Sequence, residues 1–133
     1  MNREILFRGK RADNGEWVYG YYIAVFSHSI VDNRGVAFEV VPKTIGQYTG
    51  LKDKNGKKIF DGDICQCNEY SNEDNLFVIK YGKYKTDDWK EKYVSNTYQF
   101  GWYAEFINTK KQVHLVSPNG IEVIGNIFDK EVE

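Results

Sequence analysis

The chain has 133 residues and a mass of 15.5 kDa, with a formal net charge of -1 and a sequence pI near 6.1, so no global field draws it onto nucleic acid or an anionic membrane. Hydrophobic residues at 41% and charged residues at 28%, with 12 Gly but only 2 Pro, describe a globular chain and exclude disordered and collagenous ones. No apolar run approaches the roughly 20 residues of a membrane-spanning helix and Met1–Glu4 does not open a secretory signal, so the expected place is the cytoplasm, with no membrane partner.

Aromatics make up 16% of the residues and recur in short alternating runs divided by Gly, Asn and Asp, which is a β pattern. Ile5–Gly9 and Trp17–Ile23 flank Asp13-Asn14-Gly15 and predict a hairpin, because Asn-Gly adopts positive φ at little cost. Ser29–Val31 and Val36–Val41 predict a second hairpin about Asp32–Gly35, with Pro42 ending the strand. From Thr44 to Ile64 turn chemistry dominates: Asn55-Gly56 marks one tight turn, and Asp61-Gly62-Asp63 introduces a strand. Asn68–Asn75 reads as a loop, Leu76–Tyr81 as a strand, and 83–96 as helix or loop. Gln99–Ile107 alternates as a half-buried strand, and Ser117-Pro118-Asn119-Gly120 predicts a hairpin joining Val113–Val116 to Ile121–Ile124. The expected fold is mainly β: two packed β subdomains, 1-48 of N-terminal hairpins and 49-133 a small SH3-like barrel, with at most one or two short helices.

Chemistry-bearing residues are few. Cys65 and Cys67 lie on one face of a strand, where a disulfide would be strained, and read as two small half-buried thiols; no metal site is expected, since His28 and His114 lie far away in sequence. Neither histidine has a serine placed for nucleophilic catalysis, and His114 reads as a satisfied, half-buried imidazole. Asp61 and Asp63, beside Gly62, are the first place to look for a carboxylate- or metal-dependent enzyme, although turn chemistry explains both. The spacing of Gly46, Gly50, Gly56 and Gly62 is that of turns, not a phosphate cradle, so no cofactor is expected. Lys52, Lys54, Lys57 and Lys58 flank a turn tip, and Arg3, Arg8, Lys10 and Arg11 lie near another. With Tyr48, Tyr81, Tyr84 or Trp89 as stacking platforms, the first cluster is a candidate nucleic-acid surface, diluted by Asp53, Asp61 and Asp63. Residues 1–60 carry +4 and residues 61–133 carry -5, an asymmetry that suits head-to-tail self-association.

The stretch Thr44–Ile64 resembles the central signature of the YopX family of bacteriophage and prophage proteins. Phe7–Lys10 with Gly15–Gly20 resembles the family's N-terminal segment, and Ile121–Phe128 its C-terminal one. The resemblance implies a mostly β, self-associating protein with no assigned catalytic residues; the expected function is that of a non-enzymatic accessory protein, a homo-oligomer that binds a host or phage protein. Its structural signature in this chain is Trp17, Gly46, Tyr48, Thr49, Gly50, Asn55, Gly56, Asp61, Gly62, Asp63, Gly125 and Asn126.

Overall fold

A computed structural model describes residues 4–67, 75–85, 98–115 and 120–129. Among them the chain is mainly antiparallel β, with one turn of 3-10 helix at Pro42–Thr44. The eleven strands are β1 (Phe7–Lys10), β2 (Trp17–Ala24), β3 (His28–Val31), β4 (Ala37–Glu39), β5 (Gly46–Lys52), β6 (Lys58–Phe60), β7 (Asp63–Cys67), β8 (Leu76–Tyr84), β9 (Gln99–Phe106), β10 (Gln112–His114) and β11 (Ile121–Asn126). They form a six-stranded sheet in the order β4-β3-β2-β1-β5-β6 and a five-stranded sheet in the order β10-β9-β8-β7-β11. The chain divides into two compact units, Met1–Gly50 and Leu51–Glu133, with the division falling inside β5.

The first unit is a meander. Gly15, with φ 77°, closes the β1–β2 hairpin, and the Asn14 side chain accepts the Glu16 N–H at 2.9 Å. Between β3 and β4, one Asp32 carboxylate oxygen accepts the N–H groups of Arg34 and Val36 at 2.9 and 3.0 Å, and Gly35 takes φ 87°. β2 serves two partners: Trp17–Gly20 pair with β1 and Tyr21–Ala24 with β3. The changeover at Gly20 needs glycine, because a Cβ there would stand 1.9 Å from the Val31 carbonyl oxygen. Past β4 the chain returns to the end of β1 through the bridge Arg11↔Val40, with Val41 N–H donating to Lys10 O at 2.9 Å. One face of this meander buries Val18, Ile30 and Val40 against Phe7, Phe38 and Ile45. Each such side chain contributes about 1.5–3 kcal/mol. Alternation puts Trp17, Tyr19, Tyr21 and Ile23 on the other face of β2.

The second unit is built on β7, whose inward residues alternate as Asp63, Cys65 and Cys67. They join Ile59, Phe77, Ile79, Ala104, Phe106, Leu115, Ile121 and Val123 in a single buried cluster, apart from Asp63, with Leu51, Trp102 and Val113 packed on its rim. A bulge between Val123 and Gly125 shifts the register of β11 on β7 and turns Ile124 outward, 50% exposed.

Three expectations are corrected here. Val113–Leu115 and Ile121–Ile124 do not form a hairpin: β10 pairs with β9 and β11 with β7, at opposite edges of the sheet. β9 turns instead directly into β10, through Lys110 at φ 64° and the Lys110 N–H to Phe106 O bond of 2.9 Å. Lys83 and Tyr84 belong to β8, where cross-strand pairing with Phe100 and Gln99 keeps them extended. The five-stranded order is open, with β10 and β11 unjoined among the described residues, so the strands do not close the expected barrel. Gly82 and Gly101 face each other across β8 and β9 with φ 145° and 147°, values open to glycine. Beyond them Tyr84 leans back to stack on Tyr103, with ring centroids 4.8 Å apart, and Lys85 N–H reaches the Gln112 side chain at 3.0 Å. The expected loop over Asn68–Asn75, the rest of 86–96 with Trp89, the turn at Ser117–Asn119, and Arg3 lie outside the described residues, apart from Asn75 itself.

Candidate functional site

Thr44–Ile64 folds as a chain of turns whose polar groups hold strands in place. Thr44 is buried; its hydroxyl accepts the Lys10 N–H at 2.9 Å and donates to the Val41 carbonyl at 2.6 Å. Gly46 pairs with Arg8, and the Tyr48 N–H donates to Leu6 O at 2.8 Å. Tyr48 and Thr49 are buried, and Gly50 turns with φ 90°.

Asp53 is the centre of the next turn. One oxygen of its carboxylate accepts the N–H groups of Asn55 at 2.8 Å and Lys57 at 2.9 Å, and the other accepts the Val123 N–H at 2.9 Å. The Lys54 N–H donates to Ile121 O at 3.0 Å. The hairpin tip thus occupies two backbone groups on the outer edge of β11 with its own polar atoms. Burial raises the Asp53 pKa, but the three backbone donors and Lys57 outweigh it and hold the carboxyl below its usual range.

Asp61-Gly62-Asp63 forms the next joint. Gly62, at φ 93°, donates to Ile79 O at 2.8 Å and accepts from Ile127 N–H at 3.0 Å, and an added Cβ would lie 3.0 Å from the Phe128 ring. Asp63 is 2% exposed and accepts the Phe60 N–H at 2.7 Å. Across the sheet Asn126 pairs with Asp63, and its side-chain oxygen accepts the N–H groups of Phe128 and Asp129, both at 2.9 Å. Asp53, Asp63, Gly125 and Asn126 are therefore parts of one backbone-fixing arrangement.

The lysines are placed differently. Lys52, Lys54 and Lys57 are exposed around the tip, Lys58 is half-buried, and Lys54 lies 3.8 Å from Glu122. Of the aromatic platforms expected beside them, Tyr48 and Tyr84 are 6% and 1% exposed, because each is packed inside its unit, so neither offers a ring face to a base. Tyr81 is 61% exposed.

Both cysteines are free and buried rather than half-buried, Cys65 completely, since β7 lies mid-sheet between β8 and β11. Burial, with Asp63 and Asp53 adding to it, pushes the Cys65 thiol up to about 12. His28 bonds the Tyr22 hydroxyl at 2.5 Å through Nδ1, while Ser27 and Ser29 face each other at 3.3 Å. His114 is exposed rather than half-buried, because it sits on edge strand β10; its Nδ1 bonds the Tyr84 hydroxyl. Among the described residues no three His, Cys, Asp or Glu side chains gather as a metal ion requires, and no helix is long and apolar enough to cross a membrane.

Composition did not single out two surfaces. In the first unit a groove of about 900 Å³ is lined by Trp17, Tyr19, Tyr21 and Phe38 together with Arg11, Glu16, Asp32 and Arg34. Arg11 is paired with Asp13 at 2.7 Å and Arg34 with Asp32 at 2.6 Å. Trp17 carries the Arg8 guanidinium 4.6 Å above its ring. Near it, the β2–β3 hairpin ends in Val25, 69% exposed, and Phe26, wholly exposed. The second surface is the arm beyond Gly82 and Gly101. The signal for the first was Val25-Phe26, an apolar pair standing where a turn should be polar.

Two open antiparallel sheets, with most of the acidic and glycine signature at turns and strand edges, define a mainly-β protein. The chain belongs to the YopX family: residues 6–131, nearly its whole length, match the family described as YopX protein. No curated protein matches it in sequence.

Proposed function

We propose that this protein is a non-enzymatic accessory protein of phage or prophage, a self-associating β scaffold that binds a protein partner in the host cytoplasm. The observation that carries the reading is the end of the β2–β3 hairpin, where Tyr21, Ile23, Val25 and Phe26 are 45% exposed or more. Water-exposed apolar side chains grouped in this way mark contact surfaces. The neighbouring groove supports a protein partner over a polyanion, since its Arg11 and Arg34 are already neutralised by Asp13 and Asp32. Asp63, buried and bonded to Phe60 N–H, supports a structural over a catalytic role for the Asp61 and Asp63 pair.

Size-exclusion chromatography with light scattering tests this reading. A discrete multiple of 15.5 kDa is expected at micromolar concentration, falling toward the monomer in Val25→Ser/Phe26→Ser. A monomer at all concentrations, or an oligomer unmoved by the double substitution, would sink the assignment of this surface.

A second reading has one observation in its favour. Asp53 turns inward onto Asn55, Lys57 and Val123, leaving Lys52, Lys54 and Lys57 outermost at the tip. Nucleic acid bound there would be released by Lys52, Lys54, Lys57 and Lys58 changed together to Glu, and by salt.

A further inference from the structure

We infer that the β8–β9 arm is a platform for single-stranded nucleic acid, built from other residues than those of the apolar hairpin and the Lys52–Lys58 tip. Register puts Tyr81 opposite Trp102 and Lys83 opposite Phe100, so these four share one face of the arm. Just past them, Tyr98 receives the Lys83 ammonium 4.5 Å and the Lys85 ammonium 6.0 Å from its ring centroid. Tyr81, Tyr98 and Phe100 are 61%, 51% and 75% exposed, while Trp102 meets Tyr81 edge-on at 4.9 Å and anchors the row on the core.

On the opposite side Gly82 and Gly101 carry no side chain, and Tyr84 stacks on Tyr103 and His114 there. Residues two apart along a strand are spaced about 6.8 Å, twice the rise per nucleotide of a stacked strand, which lets bases splay with a ring between them. Cations are set among the rings: Lys83 and Lys85 lie within reach of a backbone that follows the row. No acidic side chain falls on this face among the described residues of β8 and β9; Glu105 is on the other side, 3.3 Å from Lys80. Rings that any base can stack on, interleaved with lysines, suit a single strand and not a duplex, whose bases are already stacked.

The test is fluorescence anisotropy of a fluorescein-labelled dT20 strand with the full chain, at 50 to 200 mM salt, beside a duplex of equal length. Tighter binding of the single strand is expected. Phe100→Ala, with Tyr98→Ala as a second variant, should weaken it about 5- to 100-fold, the effect of losing one stacking platform. Lys83→Gln/Lys85→Gln should flatten the slope of log affinity against log salt by about 1.4. Circular dichroism melts of these exposed-residue variants should match the unsubstituted protein. The inference is overturned by no saturable binding at 50 mM salt, by equal affinity for the duplex, or by displacement of dT20 by polyglutamate. It is overturned equally if Phe100→Ala and Tyr98→Ala bind as before while changing the four tip lysines to Glu abolishes binding.

Discussion

Replacing Asp53 with alanine removes the acceptor for three backbone N–H groups at once, those of Asn55, Lys57 and Val123. The three are unequal. Asn55 and Lys57 are exposed and water can take over their donors, whereas the Val123 N–H lies in a buried strand edge and would be left unsatisfied. One stranded buried donor costs about 1–3 kcal/mol, and losing two charge-assisted turn bonds adds roughly 1 kcal/mol, for about 2–4 kcal/mol in all. Urea unfolding should show this as a lower midpoint with an unchanged slope. Native-state hydrogen exchange locates it: the Val123 amide should exchange much faster in Asp53→Ala while the Ile79 amide keeps its protection. The folded carboxyl titrates below its unfolded value of about 3.9, so its contribution is complete at neutral pH and disappears as pH falls through the folded value. The gap between the two proteins should therefore narrow on acidification, by the part of the stabilisation that depends on the carboxylate charge. A Val123 amide equally protected in both, or a gap that widens on acidification, would refute the assignment.

Gly20→Ala should be among the most disruptive single changes in the first unit, costing about 3 kcal/mol or more, because its Cβ meets the Val31 carbonyl oxygen at 1.9 Å; a thermal melt within 2 °C of the unsubstituted protein would count against this bend. Gly62→Val should cost about 1–3 kcal/mol or more from backbone strain alone, with Gly62→Ala sharing that strain but crowding Phe128 less; denaturant melts of the pair would separate the two causes. Cys65 and Cys67 should resist a disulfide reagent at pH 8 and both react once urea unfolds the chain, since burial pushes the Cys65 thiol to about 12; prompt labelling of the folded protein would contradict their position in the core.

Local rules were legible where a residue type answers one backbone demand. Asn14-Gly15, Asp32 with Gly35, Asn55-Gly56 and Gly62 each mark a turn that forms, because positive φ and side-chain acceptors are properties of single residues. What the sequence hid lies in partners far apart. Asp53 looks like a diluting charge in a lysine cluster until Val123, 70 residues away, is seen donating to it. The β9–β10 turn uses a lysine at φ 64°, which carries no compositional mark, so the visible Pro-Asn-Gly signal drew β10 toward β11 instead. Tyr48 and Tyr84 read as platforms because an aromatic's alternation does not say whether both faces of its strand are covered. Phe100 and Tyr98 could not be told from core aromatics without knowing that Gly82 and Gly101 are opposite each other.

The hairpin tip on β11 also bears on how copies of this chain could join. A strand at the margin of a sheet recruits another chain through its outward N–H and C=O groups, and repeated recruitment at two margins grows a fibre. Here the Val123 N–H and Ile121 C=O are already taken by Asp53 and Lys54. The five-stranded sheet is left with β10 as its open margin among the described residues. A sheet that could be extended on one side only would stop at a pair, so a cover of this kind on β11 would set a limit to backbone pairing through the described strands.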